Sequence, residues 1–104
     1  MSVPRFDELI HPATRLSIVA LLAASDWVEF AFIRDQLALS DSALSKQLST
    51  LDEAGYVRIE RTVSNHRRRV LAHLTPAGRA AFRGHVAALE AIVARAAPGA
   101  TQRN

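Results

Sequence analysis

The spacing of apolar residues changes twice along this chain, at Gly55 and again at Thr75. Before Gly55, apolar residues recur at helical spacing and share one helix face, as Leu44, Leu48 and Leu51 do. Between the two points, apolar and polar residues alternate, which is the period of a β-strand. After Thr75 the helical spacing returns. The sequence therefore predicts a mainly helical chain with one β-hairpin ahead of its last helix.

Capping residues indicate where these elements begin and end. Ser40 or Asp41 suits the N-cap of the third helix, and Gly55 suits the left-handed position after its last turn. Thr75 followed by Pro76 is typical of a helix start, because proline at the first helical position loses no hydrogen bond. The predicted elements are helices over 13–24, 30–37 and 41–54, a brief extended turn at 27–30, a hairpin pairing 56–62 with 69–74, and a helix over 76–97.

Three helices, a hairpin and a final helix follow one another in the order of a winged helix-turn-helix. We therefore predict a mainly α fold of the α+β winged-helix class. It has a three-helix helix-turn-helix core, a two-stranded β wing over about 56–74, and a C-terminal dimerisation helix. The length of 104 residues suits one domain, predicted over 1–97, with a flexible tail over 98–104.

Composition excludes several classes of protein. The chain has no cysteine, which excludes disulfides and thiolate metal sites and suits a reducing compartment. The N-terminus lacks the basic start and apolar core of a signal peptide. The longest apolar stretch, "IVALLAA", is too short to span a bilayer. We therefore expect a cytoplasmic protein with no membrane partner.

Charge is distributed unevenly between the two halves of the chain. Residues 1–53 hold four basic and eight acidic side chains, whereas residues 54–104 hold nine basic and two acidic ones. This asymmetry indicates a polyanionic partner that is contacted mainly by the second half. Arginine retained for solubility is the alternative explanation of the charge taken alone.

The free face of the third helix carries small polar side chains. On a helical wheel the leucines share one side, and the polar groups that lie opposite or beside them are Ser42, Ser45, Lys46, Gln47, Ser49 and Thr50. Small side chains let a helix approach base pairs in a major groove, where hydroxyl, amide and ammonium groups bond base edges or phosphates. The alternative is an ordinary solvated face with capping serines.

The predicted wing is strongly basic. It holds five arginines and one acid between Arg58 and Arg69. The polar and basic residues at or beside its predicted turn are Asn65, His66, Arg67, Arg68 and Arg69. An arginine on a projecting hairpin can enter a minor groove or neutralise phosphates. A charged edge that discourages strand pairing is a compatible alternative. Helix face and wing together favour double-stranded DNA as the partner.

Two stretches, "LSDSALSKQLSTLDEAGYV" and "LTPAGRAAF", together with "HPATR" further upstream, carry a resemblance to a known family. The chain resembles winged-helix transcriptional regulators of the MarR and ArsR kind over about residues 9–90, especially their compact single-domain subgroup. The resemblance implies a dimer on operator DNA, with the groove read by Ser42, Ser45, Lys46, Gln47 and Ser49 and the wing acting through Arg67, Arg68 and Arg69. The chain lacks the long N-terminal helix of larger MarR proteins and the cysteines of thiol-based ArsR metal sensors.

The last helix carries more apolar surface than one small domain can bury. We therefore expect a homodimer built from the first and last helices. The residues expected at this interface are Leu9, Phe82, His85, Leu89, Ile92, Val93 and Ala96. Two recognition helices would then lie about 34 Å apart, matching a palindromic site.

No catalytic constellation is evident in the sequence. It has no Gly-x-Ser-x-Gly elbow and no glycine-rich phosphate loop. No two of the histidines have the spacing of a helical metal site. We therefore expect neither an enzyme nor a bound cofactor or metal.

The leading hypothesis is a transcriptional regulator, more specifically a repressor, that binds operator DNA as a homodimer. A protein–protein interaction module that uses the same fold as a scaffold is one alternative. A non-specific architectural DNA binder is another. A small-molecule effector of unknown identity is left open.

Overall fold

The structure is a computed structural model in which residues 2–96 are described. Its elements are, in order, α1 (Ala13–Ala23), β1 (Val28–Glu29), α2 (Phe30–Gln36), α3 (Asp41–Glu53), β2 (Val57–Ser64), β3 (Arg67–Leu74) and α4 (Pro76–Arg95). These four helices and small sheet confirm the predicted α+β winged-helix class. The predicted flexible tail over 98–104, and residue 97 of the predicted last helix, lie outside the described residues.

The sheet is antiparallel, with strand order β1-β3-β2. β2 and β3 pair from Val57 opposite Leu74 to Ser64 opposite Arg67, so the hairpin is longer than predicted. Its turn consists of Asn65 and His66 alone, with φ angles of 52° and 62°. Two successive positive φ angles match the type I′ turn that suits the twist of a two-residue hairpin.

A third strand joins the predicted two-stranded wing. β1 occupies the place of the predicted extended turn, and its Val28 lies opposite Ala72 of β3. Both residues are buried. The sequence does not indicate this strand because two residues are too few to show an alternating pattern.

The core lies between the first three helices and one face of the sheet. Its buried apolar side chains are Ile10, Ile18, Val19, Leu22, Val28, Ile33, Leu44, Leu48, Leu51, Val57, Ala72 and Leu74. Each large aliphatic side chain in this set contributes about 1.5–3 kcal/mol relative to an exposed one. All three leucines of the α3 apolar stripe belong to the core, which fixes the rotation of α3 about its axis.

Local hydrogen bonds define both the start and the end of α3. Ser40 is the N-cap, and its Oγ accepts from the backbone N–H of Ala43 at 3.1 Å. Gly55 follows the helix with φ +81°. The N–H of Tyr56 donates to the carbonyl oxygen of Leu51 at 3.0 Å, a pattern that satisfies the free carbonyls of a last turn. α3 and the wing are therefore joined by a tight, fixed turn.

The start of α4 is packed onto this same turn. Thr75 caps α4 by accepting from the N–H of Gly78 at 3.0 Å, and Pro76 is the first helical residue. The N–H of Thr75 donates to the carbonyl oxygen of Tyr56 at 3.0 Å. A Cβ on Gly78 would lie only 2.2 Å from that same oxygen. Glycine is required here because the two backbones approach each other so closely.

The segment ahead of α1 is docked along α4. The N–H of Arg5 donates to the carbonyl oxygen of Gly84 at 2.8 Å. The N–H of Asp7 donates to Nδ1 of His85 at 2.9 Å, and one carboxylate oxygen of Asp7 accepts from the hydroxyl of Tyr56 at 2.7 Å. These hydrogen bonds hold the N-terminal segment, α4 and the α3–β2 turn together.

His85 is fully buried beneath that segment. Its Nε2 lies 3.2 Å from Nδ1 of His11, and the ring of Phe6 packs edge-on at 4.7 Å. The prediction that His85 lies at a dimer interface is therefore wrong for this structure. The sequence misleads because His85 falls on the α4 face that the chain's own N-terminal segment covers.

Candidate nucleic-acid interface

The exposed face of α3 carries four of its predicted site residues. Ser42, Ser45, Lys46 and Ser49 are all exposed, whereas Leu48 on the opposite side is 2% exposed. Their side chains make no hydrogen bond to the core elements in the described part of the chain. The leucines therefore anchor α3 in the core, and its exposed face carries short polar side chains and one long cation, Lys46.

The other two predicted α3 residues lie at its flanks and are half-buried. The amide oxygen of Gln47 accepts from Nη1 of Arg15 on α1 at 2.8 Å. The hydroxyl of Thr50 donates back to the carbonyl oxygen of Lys46 at 3.1 Å. Both side chains thus have partners inside the domain. Arg15 lies within "HPATR", and no local pattern in the sequence indicates that it reaches α3.

An ion-pair cluster lies at the turn between α2 and α3. Arg34 donates to Asp35 at 3.0 Å and to Asp41 at 2.9 Å. The two carboxylates raise the pKa of the Arg34 guanidinium, mainly through their hydrogen bonds, so it stays charged. The carboxylate of Asp41 is therefore paired with Arg34 of α2. The N-cap of α3 is Ser40 and not Asp41.

The register of the hairpin separates its arginines into two faces. Residues directly opposite each other point to the same side of a sheet, and side chains alternate along each strand. Arg61 lies opposite Val70, and Arg68 lies opposite Val63, so both share the face that carries the buried Val57. The opposite face carries Arg58, Glu60, Arg67 and Arg69. Of the three predicted wing arginines, only Arg68 lies on the α3 side.

The α3 side of the hairpin carries arginines without any acid. The single acid of the hairpin, Glu60, is on the outer face. Arg69 on that face is also ion-paired with Glu29 of β1. Asn65, His66 and Arg67 are exposed at the wing tip. The α3 side of the hairpin therefore carries Arg61 and Arg68 with no acid, whereas the outer face carries its three arginines together with Glu60 and with Glu29 as the partner of Arg69.

A groove joins the α3 face to the wing. Ser45 and Ser49 of α3 line it together with Arg61 of β2. Arg61 was not among the predicted site residues. Arg61 follows Val57 and Ile59 at two-residue spacing, and these two residues are buried and half-buried. This spacing is the sequence signal that assigns Arg61 to the same face.

Between residues 2 and 96, no three histidine or acidic side chains are grouped closely enough to hold a metal ion. Over the same stretch, no helix has the length and apolar character needed to cross a membrane.

A known family matches most of the chain. Residues 14–93 match the family described as "Winged helix DNA-binding domain". The chain belongs to this family. The match includes α3, the whole wing and nearly all of α4, so it contains every element of the interface described above.

Individual relatives agree with this assignment of the winged-helix domain. An uncharacterized protein of Methanocaldococcus jannaschii is 29% identical over 79 residues, which are 76% of this chain and 86% of that protein. The transcriptional regulator homologue of Pyrococcus horikoshii OT3 has the same fold, with a TM-score of 0.81 at 20% identity, covering 86% of this chain and 88% of that one.

A MarR-family transcriptional regulator from Silicibacter pomeroyi is also similar to this winged-helix domain. It is 28% identical with a TM-score of 0.65, covering 91% of this chain and 63% of that one. The matched family is thus described by DNA binding, and the Silicibacter pomeroyi structure is described as a transcriptional regulator. The resemblance to MarR-like winged helix-turn-helix regulators is thereby confirmed.

Proposed function

We propose that this winged-helix regulator is a repressor that binds operator DNA as a homodimer. In this proposal α3 lies in the major groove, and the α3-side face of the wing follows the adjoining backbone into the minor groove. The observation that carries the proposal is that Ser45 and Ser49 of α3 line one groove with Arg61 of β2. Helix and wing therefore present one surface to a single duplex.

The roles of the side chains follow from their placement. Serine hydroxyls at Ser42, Ser45 and Ser49 are short enough to let the α3 backbone approach base edges, and each can donate or accept. Lys46 is the long cation on this face and reaches a guanine edge or a phosphate. Arg61 and Arg68 neutralise phosphates or enter the narrow groove beside them.

The wing tip completes the proposed contact surface. Asn65 and His66 form the turn, and Arg67 and Arg69 extend from the outer face of β3. In the proposal these outer residues contribute less than Arg68, because they point away from α3 and Arg69 is paired with Glu29. Gln47 and Thr50 contribute from the flank of α3.

The dimer is supported by apolar side chains at the end of α4. Ile92 and Val93 are 42% and 66% exposed, and Ala96 beyond them is exposed. Leu89 is half-buried, and Phe82 and Leu9 pack partly against the core. We propose that the last two turns of α4 form the centre of the interface, with Leu89 at its edge. A two-fold dimer would present two α3 helices to a palindromic operator.

An open groove gives a small-molecule effector a place to bind. It has a volume of about 620 Å³, and its lining includes Arg5, Phe6, Asp7, Tyr56, Ala81 and Gly84. A ligand here would act on the hydrogen bond from Tyr56 to Asp7, next to the turn that joins α3 to the wing. If an effector changes the DNA affinity of the wild-type protein but not that of Tyr56→Phe, this site is supported. If the effector changes the DNA affinity of both proteins equally, it binds elsewhere.

The test of the proposed function is binding of the full chain to duplex DNA over a range of salt concentrations. One duplex is recovered by selection from a random pool, and the other is a scrambled control of equal length and composition. A sequence-specific regulator binds the selected duplex about 10³-fold or more tightly, with an affinity that falls steeply with salt. Equal affinity for the two duplexes would favour architectural binding. No binding even at low salt would favour a protein-interaction module.

Repression needs a separate measurement. A reporter gene with the selected duplex placed over its promoter should lose expression when the protein is present. Increased expression would contradict the repressor proposal while leaving DNA binding intact.

A further inference from the structure

Arg15 connects three parts of the molecule through one guanidinium group. Its Nε donates to the carbonyl oxygen of Leu9 at 2.6 Å. Its Nη1 donates to the amide oxygen of Gln47 at 2.8 Å. The side chain therefore runs from the N-terminal segment, across α1, to the recognition helix α3. Because Leu9 fixes the guanidinium, the nitrogen that meets Gln47 is held in a defined place.

The chemistry of arginine determines which end of the Gln47 amide it meets. A guanidinium has donors only, whereas a glutamine amide has an oxygen that accepts and a nitrogen that donates. The atom facing Arg15 must then be the oxygen. The contact is partly buried, and the NH₂ group is the end of the amide that faces away from Arg15.

This orientation matters for reading DNA. A glutamine that is free to turn recognises adenine by donating to N7 and accepting from N6 with both ends of its amide. In this domain the accepting end of Gln47 is turned back toward α1. The donating end can still bond N7 of adenine, but guanine presents two adjacent acceptors, N7 and O6, whereas adenine places its N6 donor beside N7. A glutamine that offers only its NH₂ group therefore favours guanine over adenine.

We propose that Arg15 is a positioning residue that sets Gln47 as a hydrogen-bond donor and so directs one base preference of α3 toward guanine over adenine. The inference rests on the proposed function, since it requires α3 to lie in the major groove.

The test is selection of bound duplexes from a random DNA pool by the full-length chain and its variants. The wild-type protein should show one position per half-site at which guanine is preferred over adenine by about tenfold. Arg15→Met keeps a side chain of similar length but releases the amide. In this variant the preference over adenine at that position should fall to about twofold or less, while the other positions keep their order.

Two further variants make the test specific. Gln47→Glu keeps an oxygen for Arg15 but removes the NH₂ group, so the preference at the same position should move toward cytosine, whose amino group is a donor. Arg79→Met is the matched control. Arg79 is likewise half-buried and donates to a backbone carbonyl, that of Ala23, at 2.9 Å. It has no hydrogen bond to α3, so this variant should keep the wild-type preference at every position.

The outcomes separate this inference from the proposed function. If Arg15→Met and Gln47→Glu are folded and keep the wild-type preference throughout, the inference is overturned and DNA binding stands. Adenine at the affected position in the wild-type selection would overturn it as well. If wild-type protein binds no duplex at low salt, the proposed function fails, and the inference fails with it. If Arg15→Met does not fold, the shift toward cytosine in Gln47→Glu decides the matter.

Discussion

Replacement of Gly78 by alanine tests the packing of α4 against the base of the wing. The added Cβ would lie 2.2 Å from the carbonyl oxygen of Tyr56 and 2.7 Å from a methyl carbon of Leu74. Neither neighbour can move freely. The Tyr56 oxygen is backbone and accepts a hydrogen bond from the N–H of Thr75 at 3.0 Å, and Leu74 belongs to the core. We therefore expect the start of α4 to be displaced.

The magnitude follows from three contributions. Forcing a methyl group into a packed site costs about 1–3 kcal/mol. Weakening the hydrogen bond from Thr75 to Tyr56 costs about 1 kcal/mol more. The better helix propensity of alanine returns about 1 kcal/mol. The free energy of unfolding should therefore fall by about 1–3 kcal/mol, which for a domain of this size lowers Tm by about 4–24 °C.

Gly55→Ala is the matched control for this experiment. Gly55 has a φ of +81°, but a Cβ there would meet nothing within 4 Å. The cost is then the left-handed backbone conformation alone, about 1–2 kcal/mol. Chemical and thermal denaturation followed by circular dichroism measure both variants. If Gly78→Ala is as stable as the wild-type protein, the close approach of α4 to the α3–β2 turn does not have the energetic role assigned to it.

Three further predictions concern other parts of the domain. Burial, with a smaller contribution from His11, lowers the pKa of His85 below its ordinary value of 6.5. The unfolded chain then binds a proton that the folded chain does not, so urea unfolding should show stability falling below about pH 6.5 by up to about 1.4 kcal/mol per pH unit. His85→Asn should lose that slope, and a wild-type profile in this variant would contradict the assignment. Ile92→Asp with Val93→Asp should convert a dimer to a monomer in sedimentation at micromolar concentration, whereas Glu90→Gln should not; a wild-type monomer would refute the dimer. Ser40→Ala should lower the free energy of unfolding by about 1 kcal/mol, since the N–H of Ala43 loses its acceptor; an unchanged value would show that solvent replaces the cap.

The features that were predictable from the sequence depend on near neighbours in the chain. Gly55 could be assigned to the end of α3, and Thr75 to the cap of α4, because caps act over three or four residues. The leucine stripe of α3 was equally readable, since helical spacing alone places its members on one face. The order of such local elements is sufficient to indicate the fold class.

The features that were missed depend on contacts between distant segments. The sequence does not show that Asp7 meets His85 and Tyr56, or that Arg15 meets Gln47, because no local pattern records these pairs. The faces of the wing were missed for a different reason. Its outer part, residues 62–69, contains a single apolar residue, Val63, which is exposed. The alternation that would reveal the register is therefore too short there, and the two-residue turn at Asn65 and His66 fixes it.

The central claim is that DNA binds the surface formed by the exposed face of α3 and the α3 side of the wing. The most direct measurement is the salt dependence of duplex binding for four arginine variants that each remove one charge from the same hairpin. Arg61→Ala and Arg68→Ala change the α3 side, and Arg58→Ala and Arg67→Ala change the outer side. We predict that each α3-side variant weakens binding and reduces the slope of log K against log salt by about 0.9, as expected for one lost phosphate contact. The outer variants should stay close to wild type, and equal losses from both faces would contradict the account.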